Sequence, residues 1–335
     1  MKEAMFYELI DKEKGIIKCL LCPKECLIKK GQVGFCRSRK NINNKLHSLI
    51  YSKVSSCGFD PIEKKPLYHF YPGTSVLSLG TVGCSFTCSF CQNWTISQGS
   101  IENVSVEELS PERAVQLTID NNSPGIAYTY SEPLIWYEYV LDTARLAKKN
   151  NLKNILVTNG FINREPLIKL LPFIDAMNID LKSFRNSFYK KYSQGSLSPV
   201  LRTIELSKEY CHIEITNLII PGLNDSEEEI KEMVDWISSL SEDIPLHFSR
   251  YFPCYKMDIS ATPISTLYKA RDIAQKKLKY VYIGNIRDEE TNTTYCGNCK
   301  KTLIKRTGYN IINLCLGKDG RCKFCGEKVV YSANG

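Results

Sequence analysis

The sequence predicts an α/β protein built around a partial (βα)6 TIM-like barrel, with a cysteine-rich segment before it and a zinc-ribbon-like tail after it. Two observations predict the barrel. Short apolar runs alternate with amphipathic helical stretches, and polar residues follow several of these runs. A third observation, the grouping of most of the fifteen cysteines into three clusters, predicts the flanking parts. We therefore divide the chain into residues 1–75, 76–290 and 291–335.

The composition is ordinary for a soluble globular protein, with 43% apolar and 24% charged residues. No apolar run is long enough to span a bilayer, and the charged N-terminal stretch lacks the apolar core of a signal peptide. We therefore expect a cytoplasmic protein with no membrane partner. The net charge of +8 is compatible with an anionic substrate, a nucleic acid or an acidic protein, and it selects none of them.

Seven apolar runs in the central region are the predicted strands. They are short and rich in Val, Ile and Tyr, and they span residues 75–80, 125–130, 154–160, 176–182, 212–220, 245–252 and 280–284. N-cap signals open three of the intervening helices: Ser110 before Pro111, Thr262 before Pro263, and Asp225 in a capping-box arrangement with Glu228. The helix after Thr262 is expected to run to about Lys279.

Three cysteines follow the first predicted strand within the stretch GTVGCSFTCSFCQNW, residues 80–94: Cys84, Cys88 and Cys91. A closed structural metal site uses four protein ligands. Three thiolates can instead hold three irons of a four-iron, four-sulfur (4Fe–4S) cluster and leave the fourth iron open to a small molecule. Three buried cysteines, or a zinc site completed by a distant ligand, are the alternatives.

The Cys-x3-Cys-x2-Cys spacing, with Phe90 before the last cysteine, resembles the signature of radical S-adenosylmethionine (SAM) enzymes. The resemblance implies a 4Fe–4S cluster whose open iron binds the amino and carboxylate groups of SAM. Reductive cleavage of SAM would then give a deoxyadenosyl radical that abstracts hydrogen from a substrate. The electron donor would be a protein such as a ferredoxin or flavodoxin.

Further segments resemble the pyruvate formate-lyase activating enzymes: YSEP (130–133), VTNG (157–160), NIDLK (178–182), IIPGLNDS (219–226) and YIGN (282–285). The resemblance implies a set of SAM contacts: Ser131 and Glu132 for the amino group, Phe90 for the adenine, Asn159, Asp180 and Lys182 in the pocket, and Asn224 near the adenosine. Each has an ordinary alternative. Glu132 could cap a helix, and Asp180 with Lys182 could form a strand-end ion pair.

Three features depart from the activating-enzyme pattern: Tyr-Ser replaces Gly-Gly before Glu132, a cysteine segment precedes the barrel, and a zinc-ribbon-like tail follows it. Together with DPIEKKPLYHFYPG (60–73) and RYFPCYKM (250–257), the flanking segments resemble the radical SAM component of the AmmeMemoRadiSam system. That resemblance implies partner proteins of the same system and leaves the substrate unnamed.

The outer cysteine groups are predicted metal sites. The tail has zinc-ribbon spacing, with ligands Cys296, Cys299, Cys322 and Cys325. A rubredoxin-like iron site is the alternative there. The leading segment offers Cys19, Cys22, Cys26 and Cys36, whose spacing fits zinc or a second iron–sulfur cluster. Lys and Gly between these ligands favour zinc.

His69 and His247 are weak candidates for contacts with substrate or SAM, because a histidine among apolar neighbours is more often packed than catalytic.

Two functions are compatible with the sequence. The first is a radical SAM enzyme; the analogy with glycyl radical activases favours a protein or peptide substrate, and a small molecule modified together with partner proteins is the alternative. The second is a zinc-ribbon, nucleic-acid-associated protein whose iron–sulfur cluster senses redox state or transfers electrons.

Overall fold

The computed structural model describes residues 1–317 and 319–329; residues 318 and 330–335, which belong to the predicted tail, lie outside the described residues. The centre is an eight-stranded sheet. Seven of its strands are parallel, and each of the seven predicted apolar runs supplies one of them. Six helical crossovers join these strands. The predicted α/β class and its mostly parallel barrel-type sheet are therefore confirmed.

The strands in chain order are β1 (Lys2–Glu3), β2 (Tyr7–Asp11), β3 (Ile16–Cys19), β4 (Leu27–Lys29), β5 (Arg39–Ile42), β6 (Lys45–Ser48), β7 (Lys53–Val54), β8 (Ser56–Pro61), β9 (Ser75–Gly80), β10 (Glu107–Glu108), β11 (Gly125–Tyr128), β12 (Lys153–Thr158), β13 (Ala176–Asp180), β14 (His212–Ile219), β15 (Leu246–Arg250), β16 (Val281–Gly284), β17 (Thr294–Tyr295), β18 (Thr302–Thr307) and β19 (Asn310–Leu314). The helices are α1 (Trp94–Ser97), α2 (Pro111–Asp120), α3 (Tyr137–Lys149), α4 (Arg164–Leu170), α5 (Asn186–Phe188), α6 (Ser198–Lys208), α7 (Glu227–Leu240) and α8 (Ile264–Ala274).

The central sheet has the order β16-β15-β14-β13-β12-β11-β9-β8. Strand β8 is antiparallel to β9 and forms the edge. The parallel strands are nearly continuous apolar runs because helices cover a parallel sheet on its faces; all four residues of β11, for example, are buried. Neighbouring strands end close together, so the loops after them meet at one edge of the sheet.

Helix starts were predicted with mixed success. Ser110 caps α2 as expected, and its hydroxyl accepts a hydrogen bond from Arg113 N at 3.2 Å. The prediction for α7 was wrong by one residue. Ser226, not Asp225, is the N-cap, while the Asp225 carboxylate accepts from Gly222 N at 2.8 Å within the preceding turn. Both residue types cap well, so the sequence alone does not separate them.

The prediction for α8 was also wrong in detail. The Thr262 hydroxyl does not cap the helix, because it donates to Ile219 O at 2.6 Å and accepts from Tyr251 N at 3.0 Å. It therefore ties the ends of β14 and β15 together. The helix ends at Ala274 rather than near Lys279, since the chain turns after it to enter β16.

The cysteine-rich leading segment forms two small antiparallel sheets, β2-β3-β4 and β1-β6-β5, and β7 pairs with β10. Its strands have two to six residues, too few to show a clear alternation in the sequence. A buried ion pair between Arg39 and Glu138 of α3 joins this segment to the barrel. Arg39 also donates to Met5 O at 2.8 Å.

The tail forms the sheet β17-β18-β19. Arg306 of β18 is fully buried, and it donates to Tyr68 O at 2.6 Å and to Asn292 O at 3.1 Å. The bond to Tyr68 joins the tail to the segment before β9. In the described part of the chain, no helix has the length and apolarity needed to span a bilayer.

Candidate functional site

A cavity of about 250 Å³ lies at the carboxyl ends of the parallel strands. The three cysteines of the loop after β9 lie in its wall, together with most of the residues expected around SAM: Cys84, Cys88, Cys91, Phe90, Ser131, Glu132, Asn159, Asp180 and Lys182. The structure therefore brings together side chains from the loops after four successive parallel strands, as expected of a barrel site.

Each of the three thiols has a polar neighbour. Cys88 Sγ donates to Ser193 Oγ at 3.2 Å, Cys91 Sγ lies 3.3 Å from Ser97 Oγ, and Cys84 Sγ accepts from Phe86 N at 3.3 Å. The cavity wall, all of it within the described residues, has no fourth cysteine and no histidine. The residues present therefore fit a cluster held by three thiolates with one position open.

The distances between thiols differ between this loop and the tail. A tetrahedral zinc ion with Zn–S bonds of about 2.3 Å separates its sulfurs by about 3.8 Å. In the tail, Cys296 and Cys325 Sγ lie 3.6 Å apart, and Cys299 and Cys322 Sγ lie 3.8 Å apart. Within residues 1–317 and 319–329, these four are the one set of three or more ligand atoms that all lie within 4.8 Å. The tail could therefore hold a single ion, whereas the loop after β9 suits a larger group.

The thiol of Cys88 is in an environment that favours its neutral form. Burial raises its pKa to about 11, although the Lys182 ammonium and the Ser193 hydroxyl partly oppose that effect. Lys182 is paired with Asp180 at 2.8 Å. Because the side chains of cluster ligands must be thiolates, a bound metal group would supply the positive charge that deprotonates Cys88.

Glu132 is the buried carboxylate of the cavity, with 1% of the residue exposed. It accepts from Thr158 Oγ1 at 2.6 Å, from Asn159 N at 2.8 Å and from Leu134 N at 3.0 Å. The last bond caps the short 3₁₀ helix at Pro133–Trp136, so the ordinary capping role is present alongside the position in the cavity. Burial raises the pKa of Glu132 to about 7.

The strand-end residues are also tied to the cysteine loop. Asn159 Nδ2 donates to Ser85 Oγ at 3.1 Å and lies 3.6 Å from Cys84 Sγ. The Ser131 hydroxyl donates to the carbonyl oxygen of Gly83. These bonds position the loop that carries the thiols relative to Glu132 and its neighbours.

Asn224 is the one predicted SAM contact that the structure does not bring to the cavity wall. Its side chain is occupied by the backbone: it accepts from Ile220 N at 2.7 Å and donates to Lys182 O at 2.6 Å and to Leu218 O at 2.8 Å. Asn224 therefore holds the loop after β13 against the turn after β14.

The two histidine candidates lie in a buried network around Glu214. The Glu214 carboxylate lies 2.6 Å from His247 Nε2 and 2.9 Å from His212 Nε2, and it accepts from the backbone N of Tyr68 and His69. Burial favours a raised pKa for Glu214, but the two histidine hydrogen bonds outweigh it and hold the pKa well below its usual range. His69 and His247 thus anchor the segment before β9 to the sheet.

Thr216, Ser249 and Asn285, which the sequence analysis did not assign as SAM contacts, also line the cavity. They lie in or directly after β14, β15 and β16. The same three line a second cavity of about 840 Å³, whose wall includes Lys64, Tyr68, Arg250, Arg287 and Tyr309. Site residues are expected at the carboxyl ends of parallel strands, and applying that expectation to the last strands would have identified Ser249 and Asn285.

Gly83 permits the close contact between the cysteine loop and the leading segment. Its φ is +94°, and a β-carbon there would overlap the carbonyl oxygen of Cys36. We expect Gly83→Ala to lower the free energy of unfolding by about 3 kcal/mol, from backbone strain and overlap together. Gly222 is the matched control, since its φ is +73° and a β-carbon there meets no heavy atom within 4 Å.

Urea unfolding of the two variants measures the difference. Gly222→Ala should cost only the strain of a left-handed alanine, about 1 kcal/mol. Equal costs for the two variants would contradict the close contact at Cys36.

Comparisons with known proteins identify relatives of this chain. Residues 78–237 match the model of the Radical SAM superfamily. The uncharacterized protein MJ0808 of Methanocaldococcus jannaschii is 48% identical over 335 aligned positions, which cover 98% of this chain and 99% of that protein. Pyruvate formate-lyase 1-activating enzyme of Escherichia coli is 27% identical over 180 positions, covering 49% of this chain and 71% of the enzyme.

Among solved structures, SuiB of Streptococcus suis aligns with a TM-score of 0.49 at 14% identity, over 64% of this chain and 48% of SuiB. The sequence matches give the family. The chain contains a radical SAM domain, belongs to one family with the Methanocaldococcus protein over its whole length, and is an enzyme homologous to the pyruvate formate-lyase activating enzymes.

Proposed function

We propose that this enzyme cleaves SAM reductively and uses the resulting radical to abstract hydrogen from a protein or peptide. The observation that carries the proposal is the cavity at the strand ends, where three cysteines without a fourth meet a set of polar side chains. A 4Fe–4S cluster bound there, once reduced, supplies the electron that splits SAM into methionine and a deoxyadenosyl radical.

In this proposal Cys84, Cys88 and Cys91 hold three irons and leave one open. The carboxylate of Glu132 lies in the same wall and offers a charged hydrogen-bond acceptor for the amino group of SAM. Its three hydrogen bonds to the chain hold it in one orientation. The protein therefore supplies a preorganised anion, which costs no reordering when SAM binds.

The remaining SAM contacts are assigned by position in the wall. Phe90 presents an aromatic face for the adenine, and its ring packs on that of Phe188 at 5.7 Å. Asp180 and Lys182 form an ion pair whose carboxylate side chain is 37% exposed and open to a ligand hydroxyl. Asn224 acts as a positioning residue in this proposal, because it holds the Lys182 backbone.

The second cavity supports a large substrate. It adjoins the first through Thr216, Ser249 and Asn285, and its volume of about 840 Å³ is near the upper end of small-molecule pockets. Tyrosine and basic side chains in its wall suit a peptide with acidic or aromatic residues. The Escherichia coli relative is, by its name, an enzyme that activates another enzyme.

We further propose that the substrate or a partner belongs to the AmmeMemoRadiSam system. Residues 60–73 and 250–257 carry that resemblance, and Lys64, Tyr68 and Arg250 from these two segments line the second cavity. The part of the chain that most resembles that system would thus touch the substrate. A ferredoxin or flavodoxin in the cytoplasm is the proposed electron donor.

The tail is proposed to bind one structural zinc ion. Its four thiols all lie within 4.8 Å of one another. Asn298 Nδ2 and Phe324 N approach Cys325 and Cys322 Sγ at 3.8 and 3.4 Å. Four thiolates close such a site to further ligands. Zinc here would stabilise the tail that Arg306 joins to the segment before β9.

Electron paramagnetic resonance of the anaerobically purified, reduced protein tests the proposal. We expect a four-iron signal that changes shape when SAM is added, because SAM binds the open iron. A four-iron signal that does not change when SAM is added would contradict an open iron. Salt-dependent RNA binding without SAM cleavage would then favour the nucleic-acid-associated alternative. Protein with zinc but no iron signal would contradict the cluster itself.

A further inference from the structure

The four cysteines of the leading segment surround one small cavity. Its wall contains all four thiol residues, together with Leu21, Ile28, Phe35 and Arg39 of the same segment. It also contains Ser85 and Ile135, which lie in the loops after β9 and β11. The leading cysteines therefore adjoin the radical SAM loop directly, since Ser85 follows Cys84 in the chain.

The spacing of these thiols is not that of a single-ion site. The tail thiols all lie within 4.8 Å of one another, whereas no three ligand atoms of the leading segment, which the structure describes in full, meet that limit. Four thiolates spaced more widely than those of the tail suit a four-iron cluster with one cysteine on each iron. Such a cluster has no open iron, so it can transfer electrons but not bind SAM.

The first contact between the two cysteine groups is at Gly83. The carbonyl oxygen of Cys36 lies so close to Gly83 that a β-carbon there would overlap it. Gly83 is bonded directly to Cys84. Cys36 of the leading group thus contacts the residue directly before Cys84 of the radical SAM loop.

A second contact reaches the environment of Cys91. Arg37, next to Cys36, donates to the Ser97 carbonyl oxygen at 3.5 Å and to Gln98 Oε1 at 3.2 Å. The Ser97 hydroxyl lies 3.3 Å from Cys91 Sγ. The leading segment therefore also supports the helix that follows the radical SAM loop.

A third contact reaches the environment of Cys88. Lys24, between Cys22 and Cys26, donates to the Gln194 carbonyl oxygen. The residue before it, Ser193, accepts the hydrogen bond from the Cys88 thiol. All three cysteines of the radical SAM loop are thus connected to the leading segment within a few bonds.

The leading thiols also have groups that stabilise added negative charge. The buried guanidinium of Arg39 lies 3.9 Å from Cys19 Sγ, and Phe35 N donates to Cys26 Sγ at 3.5 Å. Hydrogen bonds to cluster sulfurs and a nearby cation raise a cluster's reduction potential. They make the site a better electron acceptor than the same thiols in an apolar cavity.

We propose that Cys19, Cys22, Cys26 and Cys36 hold a second 4Fe–4S cluster, which passes electrons from an external donor to the cluster at Cys84, Cys88 and Cys91. The transfer half of the proposal rests on the proposed function. A low-potential one-electron protein donor is oxidised by one electron and reduces the leading cluster by one. The leading cluster returns to its oxidised state as it reduces the radical SAM cluster, and no proton or atom moves.

Metal and spin counts on the wild-type full chain test the site without any variant. After anaerobic reconstitution we expect about eight irons and about one zinc per chain. The dithionite-reduced protein should show two four-iron signals, of which only one changes with SAM. About four irons and two zincs would overturn the proposal and give the leading site to zinc. Two signals that both ignore SAM would contradict the proposed function, and the relay with it.

The double variant Cys22→Ser/Cys26→Ser assigns the signals. We expect it to lose about half of the iron and the SAM-insensitive signal, and to keep the SAM-sensitive one. Cys57→Ser is the matched control, because Cys57 is an exposed thiol in β8 outside all three clusters. Loss of the SAM-sensitive signal alone in the double variant would overturn the assignment.

The relay itself is tested by the choice of reductant. Dithionite is small and reaches the radical SAM cluster directly, whereas a flavodoxin must dock. Donor-driven SAM cleavage in the double variant should therefore fall at least tenfold more than dithionite-driven cleavage, with both rates compared to Cys57→Ser. Equal falls with the two reductants would overturn the relay.

Discussion

Replacing Cys88 with alanine is expected to abolish SAM cleavage, with a rate loss on the order of a thousandfold or more, because residues that act as one unit fail together. Cys88 is buried in the cavity, within hydrogen-bond distance of Ser193. Its removal leaves two thiolates in the loop, too few to hold a cluster with one open iron. Deoxyadenosine formed per chain, iron content and zinc content are the measurements.

The controls for this variant separate the cluster from the fold. Zinc should remain near the wild-type level, because the tail thiols are distant in sequence and form their own set. Cys57→Ala, which removes an exposed thiol, should cleave SAM at the wild-type rate. SAM cleavage retained in Cys88→Ala would contradict the assignment of Cys88 as a cluster ligand and the proposed role of the loop in SAM cleavage.

Replacing Glu132 with glutamine is expected to weaken SAM binding by roughly ten- to a hundredfold, the range for a lost charge-assisted hydrogen bond. The side chain keeps its size but loses its charge. One of its two oxygens becomes an NH₂ group that cannot accept from Thr158 or the backbone. Iron content should stay near wild type, because Glu132 does not replace a thiolate. Equilibrium SAM binding and iron analysis measure the two effects.

Glu229→Gln is the matched control. Glu229 is also a buried carboxylate that accepts from a hydroxyl and a backbone amide, at 2.5 Å from Ser183 and 2.7 Å from Phe184. It does not line the cavity. The two variants should lose similar stability, and only Glu132→Gln should lose SAM affinity. Equal SAM affinities in the two variants would contradict a contact between Glu132 and SAM.

The same residue gives a pH dependence. Burial raises the pKa of Glu132 to about 7, so the carboxyl is neutral below that pH and charged above it. The N–H groups of the SAM amino group donate more strongly to the charged carboxylate than to the neutral carboxyl, so SAM affinity should rise as pH increases between about 6 and 8. This rise should be absent in Glu132→Gln, which has no titrating group at that position.

The sequence predicted the parts of the fold and site that depend on local pattern. The seven parallel strands were visible because both faces of such strands are buried and apolar. The cysteine loop was visible because its three residues are close in the chain and follow a strand. Ser110 was visible because Pro111 marks the first turn of its helix.

The contacts that local pattern did not predict include those of groups whose partners are far away in the chain. Thr262 has the sequence context of an N-cap, yet its hydroxyl bonds to Ile219, 43 residues earlier. Asn224 lies in a turn that resembles a SAM-binding segment, yet it bonds to Lys182, 42 residues earlier. Local propensity does not include such partners, so it could not give either outcome. The histidines around Glu214 were ambiguous for the same reason.

The separate positions of the two outer cavities have a kinetic consequence. The leading cysteines adjoin the segments after β9 and β11, whereas the second cavity adjoins β14, β15 and β16 together with Lys64 and Tyr68 of the segment before β9. The two cavities share no lining residue. A reductase and a substrate docked at these places would not exclude one another. Saturation with one should leave the half-saturating concentration of the other unchanged. Turnover would then pass through a ternary complex of enzyme, reductase and substrate, in which the clusters are reduced again while the substrate stays bound.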